Sequence, residues 1–179
     1  LKKYADGKKL IYKDTKYPKI DETRAMAIAD DYDAMENNID APGVREAYGA
    51  MAVEVKEQWD LLTSLGYKME PWLEDGQPYK SSTDMVNDVL ENKHLYFFLT
   101  EEGFGEGEDA SGHPLLENSG VAIEGKELVY NDLFRAVHDI IGHSRGNQFG
   151  PRGEETAWRE HLQLFSDIAK KAVTTETRG

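Results

Sequence analysis

Cysteine is absent from this 179-residue chain, which excludes disulfides, thiolate metal ligands and a cysteine nucleophile. That absence is compatible with a reducing cytosol. Long apolar runs are missing too. No stretch approaches the roughly 20 apolar residues of a membrane span, and no signal-peptide pattern opens the chain. Basic residues are the minority, 21 Lys and Arg against 34 Asp and Glu, and the formal net charge of −13 argues against a general nucleic-acid surface. Lysines gather only in "LKKYADGKKLIYKDTKYPK", residues 1–19, where acidic residues and tyrosines interrupt them. Residues 1–20 read as a flexible, partly structured N-terminal arm. The chain opens on Leu1 rather than Met and stops at "TTETRG", so one or both ends are expected to be trimmed. The expectation is an acidic, soluble, intracellular protein with no membrane partner.

What is present is enough for a core. Hydrophobic residues make up 39% and aromatics 10%, ordinary for a globular protein, and residues 21–179 read as one domain. "DETRAMAIADDYDAMEN", residues 21–37, predicts a helix capped by Asp21 or Thr23. A stronger helix follows from Pro42, with Val44, Ala47, Tyr48, Met51, Val55, Trp59 and Leu62 at three- and four-residue steps and Gly66 closing it. "YKMEPW" predicts a short strand, and Ser82 or Thr83 caps a helix over "DMVNDVLENK". "HLYFFL", residues 94–99, is nearly continuous in apolar residues and is expected as a central strand. The acidic, glycine-rich loop of residues 100–114 reads as a mobile lid. "GVAIEGKELVYN" predicts a hairpin or edge strand, and from Asn131 the chain reads helix, loop, helix. The fold class is α+β: mostly helical with a small sheet, the C-terminal helix–loop–helix carrying the chemistry.

That chemistry lies in "AVHDIIGHSRGNQFGPRGEETAWREH", residues 136–161, which holds three of the five histidines and four acidic side chains. Asn131 or Asp132 can cap a helix whose apolar stripe is Leu133, Phe134, Val137, Ile140 and Ile141. His138 flanks that stripe. Five-residue spacing on an ideal helix sets His138 and His143 about 140° apart. Gly142 is expected to leave room beside His138 and let the helix loosen, so that His143 swings to the same side. The plainer alternative is a chance pair of histidines beside a core stripe.

In the next helix Trp158, Leu162, Phe165, Ile168 and Ala172 share a face with Glu154, His161 and Glu176. Charged and imidazole groups on an apolar face must be paired, protonated or bound to something, although Glu154 equally reads as a helix-start carboxylate. Two histidines and one carboxylate form the facial triad of non-haem Fe(II) oxygenases, and the same set serves a hydrolytic Zn(II). The third ligand is a matter of reach. The short loop 144–153 puts Glu154 and Glu155 near His143. An unbroken helix would hold Glu176 about 33 Å from Glu154, whereas a break at Ser166 would let Glu176 fold back.

Two resemblances follow. "VHDIIGH" with "TTETRG" 33 residues on resembles the iron-binding layout of the aromatic amino acid hydroxylases. That resemblance implies His138, His143 and Glu176 as metal ligands, with Asp139 near the pterin site. Over Pro42 to the C-terminus, "NKHLYFF", "NDLFRAVHDIIGH", "GEETAWREH" and "TTETRG" resemble a domain of large phage polyvalent proteins and related metagenomic sequences. It implies a phage-associated protein in the bacterial cytoplasm or delivered there.

The leading expectation is a metal-dependent enzyme with a divalent metal, Fe(II) ahead of Zn(II). His138, His143 and Glu176 bind it, while Asp139, Glu154, Glu155 and His161 orient ligands or move protons. Arg178 is placed to hold an anionic substrate group. The "HD" at His138–Asp139 also resembles the HD phosphohydrolases, which would need His94 and Asp167 as further ligands. The alternative from another class is a phage structural or interaction domain, its His/Glu cluster a buried network or a closed structural metal. Ligand count separates them, because a structural site is closed by four protein ligands, such as His161 or Glu155 added to the three, and a catalytic site stays open.

Overall fold

The computed structural model describes residues 1–13, 15, 19, 21–36, 38–100 and 112–178, the last without its side chain. Among these, seven helices pack with two short strand pairs, the α+β architecture expected from the sequence. The spine is a helix over Val44–Ser64, preceded in the chain by helices over Lys2–Gly7 and Glu22–Ala34; in chain order these are α1, α2 and, for the spine, α3. Ala47, Tyr48, Met51, Ala52, Val55, Trp59 and Leu62 form the buried stripe of α3. A polar residue, Gln58, sits within it at 1% exposure. Gly66 ends α3 with φ +87°. Tyr67 N–H reaches back to the Leu62 carbonyl at 3.0 Å and Gly66 N–H to that of Thr63 at 2.9 Å, so the last carbonyls are satisfied.

β1 (Lys68–Pro71) runs parallel to β2 (His94–Phe97), with Met69 opposite Leu95 and Pro71 opposite Phe97. Between them lies α4 (Ser82–Asn87), continued by a wide π turn over Asp88–Asn92. Its cap is Ser81, whose hydroxyl accepts from Asp84 N–H at 3.2 Å, one residue before the expected position. Among the described residues β2 pairs only with β1, so it is not the central strand its composition implied. Its apolar run is explained by alternation: Leu95 and Phe97 enter the core, where Phe97 meets Trp59 edge to face at 6.1 Å. Its other face carries a polar group, His94, between Asp88 (2.6 Å) and Glu70 (3.1 Å).

β3 (Asn118–Ile123) and β4 (Lys126–Val129) form the expected hairpin. Glu124 and Gly125 turn it at φ +51° and +81°, both left-handed as a tight two-residue turn requires. The chain then enters α5 (Tyr130–His143). Asp132, 3% exposed, ties this start together: its carboxylate accepts from Thr100 N–H (2.7 Å) and hydroxyl (2.6 Å), and from Val129 N–H (2.9 Å). Leu133, Phe134, Val137, Ile140 and Ile141 of α5 are buried, each worth about 1.5–3 kcal/mol.

α6 (Pro151–Leu162) and α7 (Ala169–Arg178) follow. The expected break does occur, at residues 163–168, and Ser166 Oγ caps α7 by accepting from Ala169 N–H at 3.4 Å. The described residues of the N-terminal stretch lie against this layer. Ala5 of α1 is fully buried, and Tyr12 Oη and Thr15 N–H donate to the buried Glu160 carboxylate at 2.9 and 3.0 Å. Among the described residues no helix is long and apolar enough to cross a membrane. The loop read as a lid lies, over residues 101–111, outside the described residues.

Candidate metal centre

Three residues that offer metal-ligand atoms converge where α5 meets α6: His138, His143 and Glu154, all atoms within 4.8 Å of one another. Two glycines make this possible. On α5, His138 and Gly142 are four residues apart and share a face; on α6, Glu154, Ala157 and His161 do the same at three- and four-residue steps. A Cβ built on Gly142 would stand 2.8 Å from Ala157 Cβ, so glycine there lets the helices approach. The expected role of Gly142, loosening the helix, is corrected: α5 is helical through His143. The rings of His138 and His143 instead meet edge to face at 5.6 Å. Gly153 does the second job. A Cβ there would lie 1.6 Å from the Gln148 carbonyl oxygen, so only glycine lets the connecting loop lie across the start of α6 and deliver Glu154.

The Oε2 atom of Glu154 lies 3.5 Å from His143 Nε2 and 3.9 Å from His138 Nε2. Ligands about 2.1 Å from one metal are separated by about 3.0–3.4 Å at octahedral to tetrahedral angles, so both Glu154 distances are within about 1 Å of what a shared metal requires. His143 is 1% exposed and His138 13% on their side chains, while Glu154 is 45% exposed, so the centre opens to solvent on the Glu154 side. His143 Nδ1–H donates to the Asn147 carbonyl at 2.8 Å, leaving the Nε2 lone pair for the centre. Asn147 is itself held, its side-chain amide donating to the Gly142 carbonyl at 2.6 Å.

Electron-rich atoms gathered this way call for a cation. Burial opposes the charge on both partners, yet the two histidines pull the Glu154 carboxyl down to about 2. Burial lowers His143, but Glu154, the Asn147 carbonyl and Asp139 outweigh it and raise the imidazole above its ordinary value. Asp139 is partly buried, which raises its carboxyl, against the pull of His138, His143 and Arg135.

The other expected residues fall in different places. Glu176 is not brought to the histidines. The break before α7 sends that helix along α3, where the Glu176 carboxylate accepts from Tyr48 Oη at 2.5 Å and lies 3.8 Å from His113 Nε2. His161 is fully buried and both its nitrogens are engaged, Nδ1 with His138 Nδ1 at 3.1 Å and Nε2 with Gln58 Oε1 at 2.8 Å. Glu155 accepts from Arg159 Nε at 2.7 Å, one turn along α6. Neither is aimed at the centre. The Arg178 side chain lies outside the described residues. His94 is held by Asp88 and Glu70, and Asp167 is exposed and paired with Lys170 at 2.8 Å, so the ligands an HD-type site needs are not gathered. Gln58, Asn147 and Gly153 went unnoticed in the sequence. Gln58 had a signal: a polar side chain on the apolar stripe of α3 requires a buried partner.

Comparison with known protein families, characterised proteins and solved structures finds no match. The functional reading rests on the site itself.

Proposed function

We propose that His138, His143 and Glu154 hold a divalent metal, Fe(II) before Zn(II), and that the chain is a metal-dependent enzyme of the non-haem iron type. One observation carries this: one nitrogen from each imidazole and one carboxylate oxygen converge within 4.8 Å, with no fourth protein ligand among the described residues. Three N/O ligands with positions left open are the pattern of catalytic rather than structural centres. Bound there, Fe(II) would supply open positions for oxygen and substrate, and Zn(II) an activated water.

The chain's own residues supply the rest. Phe134 and Phe165 lie against His161 and keep water from the inner side, while Glu154 leaves the outer side accessible. Phe149, 54% exposed, stands edge-on to His143 at 5.2 Å and forms an aromatic rim for a substrate. The resemblance to aromatic amino acid hydroxylases supports iron at the histidine pair, with Glu154 in place of Glu176. The resemblance to the phage polyvalent domain supports a phage-related protein acting inside a bacterial cell.

The test is anaerobic loading with Fe(II) followed by nitric oxide. A high-spin ferrous–nitrosyl signal by electron paramagnetic resonance, present in wild type and Glu176→Ala and absent in Glu154→Ala, is expected. Bound iron that takes up no nitric oxide would show a closed, structural centre and overturn the reading.

A further inference from the structure

The buried pair Gln58 and His161 lies behind the proposed centre and meets one of its ligands, His138, on the side away from Glu154. Gln58 lies at the middle of α3, 1% exposed, and its amide nitrogen donates to the Leu164 carbonyl at 3.2 Å. That bond fixes the amide, turning Oε1 toward His161 Nε2 at 2.8 Å. An amide oxygen can only accept, so His161 Nε2 carries the proton. His161 is fully buried, stacked on Phe134 at 5.7 Å and against Phe165 at 4.8 Å. Fully buried between two phenyl rings, the imidazole is neutral and has one N–H, the one given to Gln58. Its Nδ1 is then a lone pair. His138 Nδ1, 3.1 Å away, must donate to it. With the proton on Nδ1, the lone pair of a singly protonated His138 ring is on Nε2, the atom that faces Glu154.

We propose that the chain of Leu164 carbonyl, Gln58 and His161 sets the tautomer and ring orientation of His138, making Gln58 and His161 positioning residues for the metal centre. The proposal rests on the reading of that centre given above. Its importance is chemical. In water a neutral histidine carries its proton mainly on Nε2, the wrong atom for a ligand here, and the tautomer is decided by the hydrogen bond that the other nitrogen makes. His143 has a backbone carbonyl for this purpose, at Asn147. His138 sits mid-helix on α5, where backbone carbonyls are taken up by the helix's own hydrogen bonds, and the structure supplies another imidazole, itself oriented from α3.

The experiment reads the tautomer without metal. Long-range 1H–15N correlation spectra of the metal-free chain at about pH 8 should show His138 with the proton on Nδ1 and His161 with it on Nε2. His138 protonated on Nε2 in the wild type overturns the proposal. His161→Phe, whose ring fits between Phe134 and Phe165, should return His138 to the Nε2–H form while the His143 signals, held by Asn147, stay in place and report an intact fold. Gln58→Leu should do the same more weakly. Co(II) titration, read by its visible absorption, should then show affinity lower by about 10–100-fold in His161→Phe. Unchanged tautomer and affinity in both variants would overturn the positioning role. A wild-type chain that shows the expected tautomers but binds no Co(II) overturns the metal centre itself, a failure told apart because the tautomers are read without metal.

Discussion

Gly142 of α5 and Ala157 of α6 lie so close that a methyl group on Gly142 would sit 2.8 Å from Ala157 Cβ and 3.2 Å from its Cα. The contact sets the distance between the helices that carry the ligands. Gly142→Ala should therefore push them apart, costing about 1–3 kcal/mol and weakening metal binding. Adding Ala157→Gly should restore the affinity, though a helical glycine costs about 1 kcal/mol of stability itself. Urea unfolding and Co(II) titration of the three variants check both halves.

Gly153 faces a harder obstacle. The Gln148 carbonyl that a Cβ would meet at 1.6 Å is backbone and cannot rotate aside. Gly153→Ala is expected to cost about 3 kcal/mol or more, or to displace the loop and Glu154 with it. Urea unfolding measures the loss, and Co(II) titration shows whether the centre survives.

The pair of His143 and Glu154 predicts a pH window for the metal-free protein. His143 is raised in the fold: burial alone would lower it, but Glu154 and the Asn147 carbonyl prevail. Its contribution is complete below the unfolded value of 6.5 and is lost as pH climbs through the raised one. Glu154, lowered to about 2 against its burial by the two histidines, contributes fully above 4.5 and less as pH falls toward about 2. The difference in thermal stability between wild type and Glu154→Gln should be greatest between about pH 4.5 and 6.5 and should shrink on either side. Metal binding should show the opposite trend at the upper edge, strengthening as pH rises and His143 gives up its proton.

Glu160 makes the N-terminal stretch part of the fold. Its carboxylate is 1% exposed and accepts from Tyr12 Oη and Thr15 N–H. Burial and this carboxylate push the Tyr12 phenol up to about 12, so the hydrogen bond persists across the ordinary pH range. Tyr12→Phe should cost about 1.5–3 kcal/mol, the range for a hydrogen bond to a charged group, measured by urea unfolding.

The sequence made legible what depends on local pattern. The stripe of α3, the Gly66 stop, the hairpin at Glu124–Gly125 and the helix carrying His138 and His143 all follow from periodicity and turn chemistry. So did the alternative that the short loop would keep Glu154 near His143. What the sequence hid depends on tertiary placement. A break near Ser166 was foreseeable, but not that α7 would then follow α3 and bind Glu176 to Tyr48. The edge position of β2 is not legible in its composition, because an apolar strand under a helix looks like one inside a sheet. The role of Gly142 is not legible from its own helix, because its reason, Ala157, lies on another element.

The most direct test of the account is the metal content of the purified, untagged chain, prepared anaerobically and read by elemental mass spectrometry beside His143→Ala, Glu154→Ala and Glu176→Ala. The account predicts about one metal per chain in the wild type and in Glu176→Ala, and loss of it in His143→Ala and Glu154→Ala. Metal kept without Glu154 but lost without Glu176, or no metal bound by any form when it is supplied, would contradict it.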